Sequence, residues 1–168
     1  VDLLAYSQVG RGDLELVPVD LGEVVRGVIS DLEVSILETD ATIDLQDLPK
    51  VKADPMQIRQ LFQNLIGNGL KYRRQGVPPL VRISATRSSD SGAYRVEVAD
   101  NGIGMEEAEQ ERAFEPFFTT KEAGEGTGLG LSISYAIVQN HSGRITCESR
   151  KGEGTTFRVA LPAAEKEV

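Results

Sequence analysis

Asn64, Asn68 and Lys71 stand four and then three residues apart. On a helix that turns ~100° per residue they share one face, setting two amides and an ammonium in a row. A side-chain amide oxygen is a hard, neutral ligand of the kind Mg²⁺ accepts, and a lysine meets phosphate oxygens as a point charge. Magnesium takes few protein ligands and fills its octahedron with phosphates and water. A merely solvated helix face shows the same spacing, so the row gains meaning only in company.

That company comes from two glycine-containing stretches. At Asp100-Asn101-Gly102-Ile103-Gly104 an alternating run stops at a glycine-bracketed turn. A carboxylate there can accept a hydrogen bond from an exocyclic amino group such as that of adenine, and the glycines let a planar base approach the backbone. Asn-Gly is equally the chemistry of a plain β-turn. Gly126-Thr127-Gly128-Leu129-Gly130-Leu131 offers free backbone amides where a turn enters a helix, which suits phosphate, although a flexible linker reads the same way. It is neither a P-loop nor a dinucleotide fingerprint, because no Gly-Lys-Ser/Thr ends it and no strand precedes it.

Phe114, Phe117 and Phe118 are three of the five phenylalanines and surround Pro116, as a hydrophobic anchor or a docking patch for a partner helix. Lys121 beyond them can reach a terminal phosphate. Thr155 in GEGTTF suits a base, a bridging water or simply a strand. His141, the single histidine, reads as helix-end packing or a dipole contact before a catalytic group. The sequence holds no Ser-His-Asp arrangement and no Cys/His zinc spacing.

The elements that would position these residues follow from periodicity. Asp54 as N-cap, Pro55 at the first position and Gln57 completing a capping box open a helix over 54–73. Its stripe of Ile58, Leu61, Phe62, Leu65, Ile66, Gly69 and Leu70 faces the core. A second helix spans 20–38 from an Asp20/Glu23 capping pattern. Alternation marks strands over 41–46, 80–87, 93–100, 143–149 and 155–162, with a hairpin around SSDSG. Residues 47–53 read as a linker, 105–126 as an irregular mobile segment, and 127–140 as a third helix. The expected fold class is α+β: a two-layer sandwich with a mixed, mostly antiparallel sheet and helices on one face. Residues 1–12 read as the end of an upstream helix and a linker, and 13–168 as one domain.

A chain of 168 residues, 40% hydrophobic and 26% charged, is long enough for one core. The net charge of −8 argues against a nucleic acid partner, which needs clustered Lys and Arg. Cys147 alone makes no internal disulfide and suits a reducing interior. No apolar run approaches the ~20 residues that span a bilayer, so no membrane contact by this stretch and a cytoplasmic location are expected. The chain opens inside a helix, which suggests a fragment of a longer protein.

These motifs, in this order, resemble the catalytic domains of sensor histidine kinases in the gyrase, heat-shock chaperone, histidine kinase and mismatch-repair ATPase superfamily, whose ATP-binding sandwich is the Bergerat fold. ADPMQIRQLFQNLIGNGLKYR resembles the N box, DNGIG the first glycine box, FEPFF the F box and GTGLGL the second glycine box. The resemblance implies ATP and Mg²⁺ as cofactors, Asn68 as metal ligand, Asn64 assisting at metal and phosphates, and Lys71 and Tyr72 contacting nucleotide. Asp100 would read the adenine amino group, Gly102, Ile103 and Gly104 would shape the base pocket, and Thr155 would lie on the adenine side. Gly126, Thr127, Gly128, Leu129, Gly130 and Leu131 would form the lid hinge and phosphate turn, and Lys121 would approach the γ-phosphate. Gly69 stands where the family usually has alanine, at up to ~1 kcal/mol to the helix, and Arg73-Arg74 replaces a more usual threonine-containing end. LLAYSQVG and LPKVKADP are similar to phytochrome-like kinases.

The function so implied is transfer of the ATP γ-phosphate to a histidine on an upstream dimerisation helix, then to the receiver domain of a response regulator, within a homodimeric parent. A water-activating ATPase is disfavoured because residues 57–71 hold no carboxylate. A serine kinase of the same fold, or a nucleotide-free partner-binding module, are the alternatives.

Overall fold

The computed structural model describes residues 9, 13–119 and 128–164. In chain order these form β1 (Val17–Asp20), α1 (Leu21–Asp31), α2 (Glu33–Thr39), β2 (Thr42–Leu45), β3 (Lys50–Ala53) and α3 (Pro55–Lys71). There follow β4 (Leu80–Arg87), β5 (Tyr94–Asp100), α4 (Glu107–Arg112), α5 (Gly130–Asn140), β6 (Arg144–Arg150) and β7 (Gly154–Leu161).

Asp54 caps α3 as its sequence requires, Oδ1 accepting the N–H groups of Met56 and Gln57 at 3.1 Å each. The reciprocal half of the expected capping box is not made. The Asp54 N–H donates to His141 Nε2 at 3.0 Å, and the Gln57 oxygen accepts from Asn140 at 3.2 Å. The apolar stripe of α3 is the buried one, Ile58 through Leu70. Burying each such side chain is worth ~1.5–3 kcal/mol, so packing more than helix propensity holds α3 in place.

The main sheet runs β2-β4-β5-β7-β6, with β2 parallel to β4 and every other pair antiparallel. One face of it carries Val81, Ile83, Val96, Val98, Phe157 and Val159 into the core beneath the helices, which gives the expected two-layer sandwich. The other face is charged: Arg158 bridges Glu97 at 3.0 Å and Glu148 at 2.6 Å. Among the described residues no helix is long and apolar enough to cross a membrane.

Four boundaries differ from the sequence reading. Residues 50–53 are not linker but β3, paired antiparallel with β1 from Val17↔Ala53 to Asp20↔Lys50. Val51 and Ala53 are fully buried between exposed lysines, an alternation too short to stand out after Pro49. The helix expected over 20–38 opens at Leu32 (φ −95°, ψ 8°) into α1 and α2, though Ile29, Leu32 and Ile36 keep their helical spacing against the core. Residues 107–112 are helical, capped by reciprocal bonds between Glu106 and Glu109, where polar composition hid any periodicity. The third helix starts at Gly130, because Gly128 has φ +69° and cannot join it. Of the upstream stretch only Val9 is described, and its carbonyl accepts from Asn140 Nδ2 at 2.8 Å.

Candidate functional site

A cavity of about 300 Å³ opens where the C-terminal half of α3, the turn after β5, α4, the start of α5 and the start of β7 meet. From α3 come Asn64, Asn68 and Lys71, joined by Tyr72 at the helix end. The Asn68 side chain lines the cavity and makes no hydrogen bond among the described residues, while its backbone carbonyl accepts the Tyr72 N–H at 3.0 Å. The Lys71 ammonium lies 5.7 Å from the centre of the Tyr72 ring and makes no ion pair among the described residues. Asn64 differs. Its oxygen accepts from Gln60 at 2.9 Å, and its nitrogen donates to the Gly130 carbonyl at 3.1 Å and to Ser134 Oγ at 3.3 Å.

Tyr72 ties the end of α3 to two loops. Its carbonyl accepts the Ile103 N–H at 2.9 Å, and its phenol hydrogen-bonds Thr119. Burial pushes the phenol's pKa up, and the bond to Thr119 pulls the other way.

Asp100, at the end of β5, lines the cavity with its carboxyl group. Oδ1 accepts the N–H groups of Gly102 at 2.9 Å and Thr155 at 3.3 Å. Oδ2 makes no hydrogen bond among the described residues, and no side-chain oxygen or nitrogen there is both buried and unpartnered. Oδ2 is therefore open to the cavity. Burial raises the Asp100 pKa above the usual carboxylate range, and the two backbone donors counter it in part. Ile103, Gly104 and Thr155 complete this end. Gly102 lies behind the wall, packed under the Tyr72 carbonyl.

At the other glycine box Gly128, Gly130 and Leu131 line the cavity. Among the described residues the N–H groups of Gly130, Leu131 and Ser132 have no partner and no side chain caps α5. Three free donors and the positive end of a helix dipole favour an anion here. Leu129 does not reach the cavity: it is 1% exposed and packs in the core. Its burial anchors the turn, which a glycine-rich motif read as a string of ligands could not show. Lys121, Gly126 and Thr127 lie outside the described residues. The Phe117 N–H donates to the Gly128 carbonyl at 2.9 Å, so the F-box turn and the second glycine box meet directly.

Several wall residues carried no sequence signal as ligands, Phe118 having been read only as part of a hydrophobic cluster. Gln63, Gly67, Met105, Glu109, Ala113, Phe118, Thr119, Ile133 and Phe157 line the cavity through shape. Phe114 is the anchor of its cluster, edge-on to Phe157 at 6.4 Å, whereas Phe117 is 63% exposed. Behind the base end, Ser149 Oγ accepts the Met105 N–H at 2.8 Å and lies 2.8 Å from Thr155 Oγ1. His141 is 3% exposed and off the cavity. Accepting from Asp54 at Nε2, its ring donates from Nδ1 to the Ile137 carbonyl at 2.7 Å, so both nitrogens serve the fold. Half-buried Cys147 lies in β6 against the core, and burial pushes its thiol up.

A carboxylate, an amide and the N–H groups of Gly130 and Leu131, the amide and both N–H groups without partners among the described residues, line one cavity and suit a purine nucleotide with its phosphates. The family model for histidine kinase-, DNA gyrase B-, and HSP90-like ATPases matches residues 53–165, and the chain belongs to that family. It is 37% identical over 163 residues to the phytochrome-like protein Cph1 of Synechocystis sp., covering 96% of this chain and 21% of that protein. Full-length ShkA in complex with AMPPNP superposes with a TM-score of 0.83 at 29% identity, over 99% of this chain and 35% of that one. The histidine kinase ThkA superposes as its nucleotide-free catalytic domain (TM-score 0.75, 31% identity, 89% of this chain and 96% of that one). It does so again in complex with the response regulator protein TrrA (TM-score 0.76, 29% identity, 99% and 47%). The chain thus spans about a fifth of Cph1 and about a third of ShkA.

Proposed function

We propose that this domain holds Mg·ATP and presents the γ-phosphate to a histidine on an upstream dimerisation helix, of which residues 1–12 would be the end and the linker. The observation that carries the reading is the pairing, in one cavity, of the open Asp100 Oδ2 with the uncapped first turn of α5. Asp100 would accept the adenine amino group, with Ile103, Gly104 and Thr155 around the base. Gly130 and Leu131 would meet phosphate through their N–H groups, and Lys71, Tyr72 and Lys121 would add contacts. Asn68 would ligate Mg²⁺, which supplies charge neutralisation for phosphoryl transfer. The neutral side-chain amide of Asn68 on the cavity wall fits an ion that takes most of its ligands from phosphate and water.

The rate would come from positioning and electrostatics. A ring nitrogen of the acceptor histidine attacks phosphorus with its own lone pair, the bond to the bridging oxygen breaks, and ADP leaves. His141 has no free nitrogen for that role. The phosphoryl group would pass next to an aspartate of a response regulator, in keeping with the ThkA–TrrA complex. The parent would be a homodimer whose kinase end lies in the cytoplasm.

The test supplies γ-labelled ATP to this chain, alone and with the separately purified dimerisation segment of its parent. Label on the segment that acid removes and alkali spares is expected, with none on the chain alone. Acid-stable label would instead indicate a serine kinase.

A further inference from the structure

Asn64 and Asn68 lie one turn apart on the same cavity wall, but of the two only the Asn68 side chain has no partner among the described residues. The partners of Asn64 dictate its orientation. A carbonyl can only accept, so the amide nitrogen must face Gly130, and the oxygen must face the Gln60 amide that donates to it at 2.9 Å. Ser134 completes the arrangement. Its hydroxyl donates to the same Gly130 carbonyl at 2.8 Å, and the residue is fully buried. Gly130 is the first residue of α5, and its carbonyl shares a peptide with the Leu131 N–H, one of the N–H groups without a partner among the described residues. The side chain of α3 and the hydroxyl of α5 thus hold, from behind, the one peptide that begins the phosphate-facing turn.

We propose that Asn64 is a positioning residue: with Gln60 and Ser134 it fixes the first turn of α5 and so aims the free N–H groups at phosphate, and it does not ligate the metal. This rests on the nucleotide reading above. It separates the two asparagines by task, one facing the ligand and one facing the helix that receives it. Because Asp100 reads the base from another element, the clamp acts on the phosphate end alone.

The test measures dissociation constants of ADP and of adenosine for the whole chain, with Mg²⁺ and with chelator, in wild type, Asn64→Ala and Ser134→Ala. Asn64→Ala is expected to weaken ADP by roughly tenfold, the scale of one lost hydrogen bond, by the same factor with and without Mg²⁺. Adenosine binding stays within about twofold of wild type. Ser134→Ala, which offers no amide to a metal or a phosphate, moves ADP in the same direction, and it serves alone if Asn64→Ala fails to fold. A loss confined to Mg²⁺ would make Asn64 a metal ligand and overturn the proposal. An equal loss for adenosine, or an unchanged Ser134→Ala, would overturn it as well. Wild type that binds no ADP sinks the nucleotide reading itself, a different result from wild type that binds and variants that break the pattern.

Discussion

The side-chain amide of Gln110 pairs with both backbone groups of Ser149, accepting its N–H at 3.0 Å and donating to its carbonyl at 2.8 Å. Gln110 thereby acts on the free edge of β6 as a neighbouring strand's peptide would. Ser149 in turn holds Met105 and Thr155 through its hydroxyl, so α4, the first glycine box and the base end of the cavity are joined through one residue. Gln110→Leu should lower the unfolding free energy by about 1–2 kcal/mol and weaken nucleotide binding, read by urea denaturation and titration. An unchanged midpoint would show that water replaces the pair at no cost.

Burial raises the pKa of Asp100, which sets the sign of a pH effect. Its folded pKa lies above the ordinary value, so the folded state holds the proton more tightly than the unfolded chain does. The charge therefore destabilises the ligand-free domain above the folded pKa, and this cost is relieved as pH falls toward the unfolded value. Asp100→Asn should raise the ligand-free melting temperature at neutral pH, with a gain that shrinks on acidification. The melting temperatures of both proteins across that range decide it, and a gain that grows on acidification would contradict the account.

Gly69 explains itself against Val81. A Cβ built on Gly69 would lie 2.7 Å from Val81 Cγ2 and 3.2 Å from the Asp100 Cβ. The alanine usual in the family would gain helix propensity of up to ~1 kcal/mol, but overpacking at so tight a contact costs about 1–3 kcal/mol. Gly69→Ala should therefore destabilise. Combined with Val81→Ala it should cost less than the sum of the two single changes by about 1 kcal/mol, measured as a double-mutant cycle.

His141→Ala strips the Asp54 N–H, at the start of α3, of its partner and removes one of the two bonds to the Ile137 carbonyl in α5, which keeps the backbone N–H of residue 141. About 2–4 kcal/mol of stability should be lost. The ADP dissociation constant, measured well below the melting transition, should not move.

The long periodic elements were legible from the sequence because burial writes them there: the stripe of α3 and the alternation of β4, β5 and β7 are the core itself. The four motifs likewise led to one cavity, since each needs a residue type whose chemistry survives translation into sequence. What was not legible depended on partners remote along the chain. Nothing in Asn64 announces Gly130, sixty-six residues away, and nothing in Gln57 announces that His141 would take its place at Asp54. Leu129 shows the limit of a motif, because it shares the glycine box but turns into the core. β3 and α4 escaped notice because four and six residues carry too little periodicity to read.

The most direct test of the account is the melting temperature of the whole chain with and without Mg·ADP, for wild type and Asp100→Asn. Nucleotide at a hundred times its dissociation constant should add ~2.7 kcal/mol of stability to the wild type, and Asp100→Asn should lose that shift while folding at least as stably without ligand. A wild type that does not respond to millimolar nucleotide, or an Asp100→Asn variant that responds equally, would contradict the assignment of this cavity to ATP.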